Sequence, residues 1–174
     1  MIKRCGFGYF ILLILGCSNY IQNPSLMYAD DSQLEFGEDV IMNYYSEGLL
    51  EFKLVAPFIE KFSDPNLVSV FKEGVDVFIY NNSLDTIASI SSDFAIHHES
   101  DKLIEIKRSI VLTNDKDEKL TTETLFWNRI DKEIYTDDFV TINREKEIIM
   151  GYGFRSDESF STYSLSNITG TIYL

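Results

Sequence analysis

The chain has few cysteines, prolines and histidines: two, three and two among 174 residues. Cys5 and Cys17 both lie near the N-terminus, so the remainder has no thiol for a disulfide or a zinc site. His97 and His98 are adjacent, and adjacent side chains on a strand point to opposite faces, so they cannot bind one metal ion. We read both as surface residues near a turn. With no glycine-rich phosphate loop and no Ser–His–Asp set, we expect no metal, no cofactor and no enzymatic activity.

Basic residues are also scarce, with 15 Lys and Arg against 28 Asp and Glu, a net charge of −13. Lys3 and Arg4 lie in a segment that we expect to be removed, which would leave the mature chain at −15. Binding to nucleic acid needs clustered basic side chains that neutralise phosphates, and broad adsorption to an anionic membrane needs them too. The charge therefore argues against both partners and favours solubility.

The N-terminus has the pattern of an export signal. Basic Lys3 and Arg4 precede the apolar run Phe7–Leu15, which is shorter than the roughly 20 residues of a membrane-spanning helix. The following Ile14–Cys17 resembles the lipobox of bacterial lipoproteins, which implies cleavage before Cys17 and acylation of that residue. We expect a signal peptide at residues 1–16 and a lipid anchor on Cys17. An uncleaved membrane anchor is the alternative.

A polar stretch follows the cysteine. It contains Pro24, Asp30 and Asp31 and shows little periodicity, so we predict a lipidated N-terminus and tether at residues 17–38. A flexible segment of this length would span roughly 25 Å. The apolar residues within it could instead pair onto the edge of the folded domain, which we place at residues 39–174.

The folded part is predicted to consist of strands. Its 10 Tyr and 13 Phe suit a pleated, half-buried surface. From Val40 onward apolar residues recur with period two, and turn-forming groups such as Ser46–Gly48 separate the runs. Ala56–Phe62, the best helical candidate, is so short that we assign it to a strand with a bulge. One face of a late strand is predicted to carry Ile148, Met150, Tyr152 and Phe154. This pattern predicts an antiparallel sandwich or open barrel.

Part of the chain repeats at an offset of 30 positions. Asp101–Ile104 recurs as Asp131–Ile134, and Ile110–Asn114 recurs as Val140–Arg144. Each copy reads as a strand, a charged turn and a second strand. A fixed offset that carries both turns and apolar positions predicts a repeated unit that buries its face against its neighbour.

Many strands are apolar on both faces, as in Leu125–Trp127, whereas a half-buried sheet should be polar outside. Two interpretations stand: a thick core with aromatic outer positions, or an interior wider than the chain fills, with room for an acyl ligand. For each candidate slot residue, core packing is the alternative. The candidates are Phe52, Phe78, Phe94, Ile104, Phe126, Phe139, Ile142 and Phe154.

The order and spacing of several segments resemble the LptC family, from about Val40 to Ile172. The segments that carry the resemblance are Tyr45–Gly48, Phe52–Pro57, Phe71–Val75, Leu120–Asn128, Lys132–Asp137, Phe139–Ile142, Gly151–Phe154 and Tyr163–Asn167, followed by Gly170. The resemblance implies an all-β fold, an open twisted antiparallel β-jelly roll of the OstA/LptA-like kind.

The same resemblance implies a function and partners. Family members receive lipopolysaccharide from an inner-membrane ABC transporter and pass it to a soluble periplasmic bridge protein of the same fold. The best-known members are held by a transmembrane helix, whereas a lipobox occupies that place here. We therefore expect a lipid-anchored protein on the periplasmic side of the inner membrane. A structural lipoprotein that uses the fold only for protein–protein assembly is the alternative function.

Two unpaired sheet edges are expected to serve docking. By analogy with the family, we assign the Val40–Tyr45 hairpin to the membrane side and Tyr163–Tyr173 to the bridge side. Gly151 and Gly153 lower the bulk of one strand face. They mark either a bulge or clearance for an acyl chain or a neighbouring strand.

Overall fold

The computed structural model describes residues 34–63 and 66–173. These residues form eleven strands and no helix, so the prediction of an all-β fold is confirmed. The strands are β1 Leu34–Ser46, β2 Leu49–Phe62, β3 Val68–Phe71, β4 Val75–Tyr80, β5 Thr86–Ser92, β6 Phe94–His98, β7 Leu103–Asn114, β8 Lys119–Asn128, β9 Glu133–Asn143, β10 Glu147–Asp157 and β11 Tyr163–Tyr173.

All the strand pairs are antiparallel, in the order β11-β10-β9-β8-β7-β5-β4-β2-β3-β6, with β1 on β2 and a second pairing of β6 with β7. Two long strands each pair with two short ones along their length. In β2, residues 52–55 pair with β4 and residues 60–62 pair with β3. In β7, residues 103–107 pair with β6 and residues 111–114 pair with β5. The sheet therefore curls round on itself, which is consistent with the jelly roll.

The interior is lined by alternate residues of almost every strand, because period-two side chains share one face. The largest fully buried side chains are Trp127, Phe52, Phe71, Phe154, Phe160, Leu54, Ile90, Ile106, Ile110, Leu112, Leu120 and Leu125. Val40, Met42 and Tyr44 of β1 pack against this core from one edge. The core is thus mainly apolar, and strands at both ends of the sheet, β1 and β11, pack against it.

The 30-residue repeat corresponds to the strands β7 and β9. Both begin after a tight turn in which a lysine has positive φ, 51° at Lys102 and 54° at Lys132. The equivalent apolar positions are buried in both copies, Ile104 with Ile134 and Ile110 with Val140. The repeat therefore encodes both the turn conformation and the inward face.

Strand pairing is interrupted at the same level across four neighbouring strands. Pairing of β7 with β8 skips Arg108 and Ser109, both with positive φ. Pairing of β8 with β9 stops at Thr121 and resumes at Phe126, and pairing of β9 with β10 breaks around Gly153, with φ of 69°. We call this row of interruptions the crease.

The crease corrects one sequence prediction. Ile148, Met150, Tyr152 and Phe154 do not share a face, because the shift at Gly153 changes the alternation. Phe154 is buried, whereas Tyr152 is 43% exposed. Period-two reasoning fails wherever a bulge inserts a residue.

One boundary and the position of one bulge differ from the sequence interpretation. β1 begins at Leu34, so the last residues of the predicted tether belong to the sheet, where residues 34–38 pair with residues 58–62 of β2. Ala56–Phe62 is strand, as predicted, but the irregularity of the hairpin lies at Tyr44/Tyr45. Cys17, the signal segment and most of the tether lie outside the described residues.

Candidate functional site

The structure divides the eight predicted slot residues between the two faces of the sheet. Phe52, Ile104, Ile142 and Phe154 are buried in the interior. The expectation that the other four face inward is wrong. Phe78 and Phe94 lie opposite the buried residues of their own strands, as do Phe126 and Phe139.

Three of the four outer aromatic residues, Phe94, Phe126 and Phe139, have aromatic or cationic partners on the surface. The guanidinium of Arg108 lies 4.9 Å from the ring centre of Phe94, and Phe126 stacks on Tyr135 at 5.3 Å. Phe139 meets Tyr152 edge to face at 5.3 Å, and both are 43% exposed. Because both faces of these strands are apolar, the sequence alone did not identify the inward one.

Aromatic rings join β1 and β2 to β8 across the interior. Tyr44 stacks on Phe52 at 4.2 Å, and Phe52 meets Trp127 edge to face at 5.0 Å. The Arg129 guanidinium lies 4.4 Å from the ring centre of Phe52 and 5.3 Å from that of Tyr44. It also donates to Glu51 at 3.3 Å. We call these five residues the seam. β2 and β8 are not hydrogen-bonded neighbours in the described sheet, so side chains alone close the interior here.

A cavity of about 420 Å³ opens at one end of the seam, and we call it the mouth. Apolar side chains form part of its lining, and carboxylates with one lysine form much of the rest. The lining residues are Ser46, Glu47, Leu49, Leu50, Glu51, Phe52, Ile79, Tyr80, Asn82, Ile87, Trp127, Lys132 and Glu158. The mouth thus joins a charged surface to the apolar interior.

Glu158 ties the mouth to the seam. Its carboxylate accepts a hydrogen bond from the Trp127 indole nitrogen at 2.8 Å. Burial raises the pKa of Glu158, although this hydrogen bond and the charges of Lys132 and Arg129 oppose the shift. The bond satisfies the one polar atom of a tryptophan side chain that is otherwise buried.

His97 is buried beside the seam, which corrects its assignment to the surface. It is 3% exposed, its ring lies 6.0 Å from that of Tyr44, and neither ring nitrogen has a hydrogen-bond partner. Burial lowers the pKa of His97 to about 4. The alternation of β6 places His97 with the buried Ala95, a signal that the sequence contained in Ala95–His97.

Both ends of the sheet are edges within the described residues, since β1 pairs only with β2 and β11 only with β10. A Cβ on Gly151 would overlap the carbonyl oxygen of Asn167 in β11, and one on Gly153 would lie 2.8 Å from the Cβ of Ser166. The two glycines thus allow β11 to approach β10. Tyr163 packs on Phe160 at 5.2 Å, so its ring anchors the start of β11 to the core.

Comparison with known protein families identifies the chain. The family model for LptC-related lipopolysaccharide assembly matches residues 11–174, nearly the whole chain. The chain belongs to the LptC family. No curated protein matches the sequence.

Membership of the LptC family confirms the resemblance predicted from the sequence and implies a role in lipopolysaccharide transport. The family is associated with the periplasmic side of the inner membrane. Among the described residues, no helix is long and apolar enough to cross a membrane. Those residues also contain no cluster of three or more metal-ligating side chains.

Proposed function

We propose that the protein is a lipopolysaccharide carrier and that the acyl chains bind in its interior, between the β1–β2 hairpin and β8. It would accept the lipid from an inner-membrane ABC transporter and pass it to a soluble bridge protein of the same fold. The seam is the observation that supports this proposal. It is a boundary of three aromatic rings and one ion pair, which side chains close without strand pairing, and it leads to the mouth.

The physical chemistry of acyl binding suits this interior. Burial of each methylene group contributes about 0.8 kcal/mol, so several acyl chains bind tightly to an apolar surface of almost any shape. Handover between successive carriers requires sites of similar affinity. The direction of transport must therefore come from ATP hydrolysis by the transporter.

The two edge strands, β1 and β11, could each bind a different partner protein. Strand addition on β1 would continue the sheet into a transporter domain, and addition on β11 would continue it into the bridge protein. Both strands also expose large apolar side chains, including Ile41 and Tyr45 on β1 and Ile168 and Tyr173 on β11. Such side chains on an unpaired edge favour a partner there.

We further propose that acylated Cys17 holds the protein on the periplasmic side of the inner membrane. The sixteen residues between Cys17 and Leu34 would span roughly 22 Å if flexible, enough to place β1 near a membrane-embedded transporter. A palmitate analogue should label the wild-type protein and leave Cys17→Ala unlabelled. An unlabelled wild type would refute the anchor.

A structural adaptor is the second candidate. Its support is the packing of the interior, where the inward side chains are buried against one another. On this alternative the protein would connect the transporter and the bridge through its edges and would never contact lipid.

Photo-crosslinking at neighbouring positions separates the two candidates. The reactive residue replaces inward Tyr44 or Phe52, or the adjacent outward Tyr45 or Lys53 as matched controls, in transporter complexes reconstituted in vesicles. Carriage predicts ATP-dependent lipopolysaccharide adducts at Tyr44 and Phe52 and few at the controls. An intact complex without adducts at either inward position would establish the adaptor instead.

A further inference from the structure

A second cavity lies on the outside of the sheet, along the crease, with a volume of about 610 Å³. This outer groove is separate from the seam and the mouth and shares no lining residue with the mouth. Its volume is in the range of small-molecule sites. The residues that line it are Ser109, Ile110, Val111, Thr121, Thr122, Glu123, Asp137, Asp138, Phe139, Thr141 and Tyr152.

The groove combines an aromatic wall with a hydroxyl-bearing floor. The wall is the exposed edge-to-face pair of Phe139 and Tyr152, which sit opposite each other on β9 and β10. The floor crosses three strands through Val111, Thr121 and Thr141, which pair in register. An exposed aromatic pair that neither packs in the core nor covers a neighbouring strand offers a ring face or edge to a ligand.

The rim of the groove carries carboxylates. Glu123, Asp137 and Asp138 line it, and Arg155 forms an ion pair with Asp137 at 3.0 Å. The Arg155 guanidinium also donates to two backbone carbonyls and stacks on Tyr135, so it is not available to bind an anionic ligand. The rim therefore favours a ligand with positive charge and hydrogen-bond donors, and it repels phosphates and other anions.

The crease adds main-chain groups to the same place. Residues 122–125 of β8 and 136–140 of β9 have no partners in the ladder between these strands. The Thr122 hydroxyl and the Thr136 hydroxyl each bond to the β9 main chain there. Main-chain groups in this gap that the two threonines do not use have no partner in the β8–β9 ladder, so a hydroxyl-rich ligand can bond to them.

We propose that the outer groove binds a saccharide that carries an amino group. The apolar face of a sugar ring would lie on Phe139 and Tyr152, and its hydroxyls would bond to Thr121 and Thr141. Its ammonium group would pair with Asp138 and Glu123. Each component of such a ligand has a complement in the groove, whereas an acyl chain would leave the carboxylates and hydroxyls unused. The site does not depend on carriage of lipid in the interior.

Titration calorimetry of the purified protein tests this with four probes in mildly acidic buffer. They are a glucosamine tetrasaccharide, its N-acetylated form, a galacturonic acid tetrasaccharide and a lysine tetrapeptide. We expect saturable binding of the glucosamine oligomer, weaker binding of the acetylated form and none of the acidic oligomer. Failure of the glucosamine oligomer to bind, or equal binding of the acidic one, would overturn the proposal. Tighter binding of the lysine peptide would also overturn it, in favour of a basic protein partner.

Variants place the binding in the groove. Tyr152→Ala should weaken binding of the glucosamine oligomer by roughly 2- to 30-fold, and Asp138→Asn by about two- to fivefold. The controls are Tyr45→Ala on the outer face of β1 and Asp76→Asn on β4, both exposed and on strands that do not line the groove. If Tyr152→Ala unfolds, the exposed Asp138→Lys serves in its place and should abolish binding. Groove variants that bind like the wild type would refute the assignment.

Discussion

His97 should make the stability of the fold depend on mildly acidic pH. In the folded protein its pKa lies near 4, against an ordinary value of 6.5, chiefly because burial disfavours the charged ring. Glu99 opposes this shift, while Arg129, His98 and Lys61 add to it. Between these two pKa values the unfolded chain binds a proton that the folded protein does not. Stability is therefore fully present above pH 6.5 and decreases as the pH falls toward 4.

The magnitude follows from the same two pKa values. A proton taken up only on unfolding changes the free energy by about 1.4 kcal/mol per pH unit. From pH 6.5 to about pH 5 the loss through His97 is about 2 kcal/mol, and at still lower pH it approaches roughly 3 kcal/mol. The buried ring has no hydrogen bond in the described structure that would hold its charged form.

Urea unfolding at several pH values measures this loss. Trp127 is the single tryptophan and is buried in the seam, so its fluorescence reports the transition. His97→Phe should remove about 2 kcal/mol of the pH dependence, while the half-buried neighbour His98→Gln should retain it. Protonation of Glu158 affects all three proteins alike and cancels in the comparison. Equal pH dependence in the wild type and His97→Phe would refute the reasoning.

Two further predictions concern the packing of the sheet. Gly151→Arg should displace β11, because even a Cβ at this position overlaps the Asn167 carbonyl oxygen. Amide hydrogen exchange should show that β11 loses its protection while β2–β8 keep theirs. Unchanged protection of β11 would contradict this account. Phe52→Ala should cost about 3–5 kcal/mol of unfolding free energy, whereas Phe126→Ala on the outer face should cost about 1 kcal/mol. Equal losses in urea unfolding would show that the two faces are not distinguished as described.

The sequence predicted the elements of this fold better than their orientation. Turns such as Ser46–Gly48 and the repeated Asp101 and Asp131 turns carry their own local chemistry, so they could be located without a structure. The inward face could not be located in the same way. In Leu125–Trp127 every residue is apolar, and only the tertiary partners of Trp127 bury it while Phe126 remains on the outside.

The crease could not be predicted from the sequence either, because most of its residues are not of a type that indicates a bulge. Arg108 and Ser109 adopt positive φ, as does Gly153, yet only the glycine marks such a conformation in a sequence. No glycine marks the interruption of β7 at Arg108 and Ser109. Phe139 was therefore predicted as a slot residue and Tyr152 was placed on the same face as Phe154, although both Phe139 and Tyr152 are exposed beside the groove.

The packing of the interior determines how lipid would enter it. Phe52, Trp127 and their neighbours are buried, so on the proposed function acyl chains would need the seam to part. Parting breaks the Phe52–Trp127 ring contact, the two cation–π contacts of Arg129 and the Arg129–Glu51 pair, whereas the Tyr44–Phe52 stack stays within the β1–β2 hairpin. The ring and cation–π contacts are each worth about 0.5–2 kcal/mol, and the ion pair about 0.2–1 kcal/mol. Ten buried methylenes would contribute roughly 8 kcal/mol, so one acyl chain can offset the loss. Breaking the β1–β2 or β7–β8 ladders would cost far more hydrogen bonds, so lipid would enter at the seam.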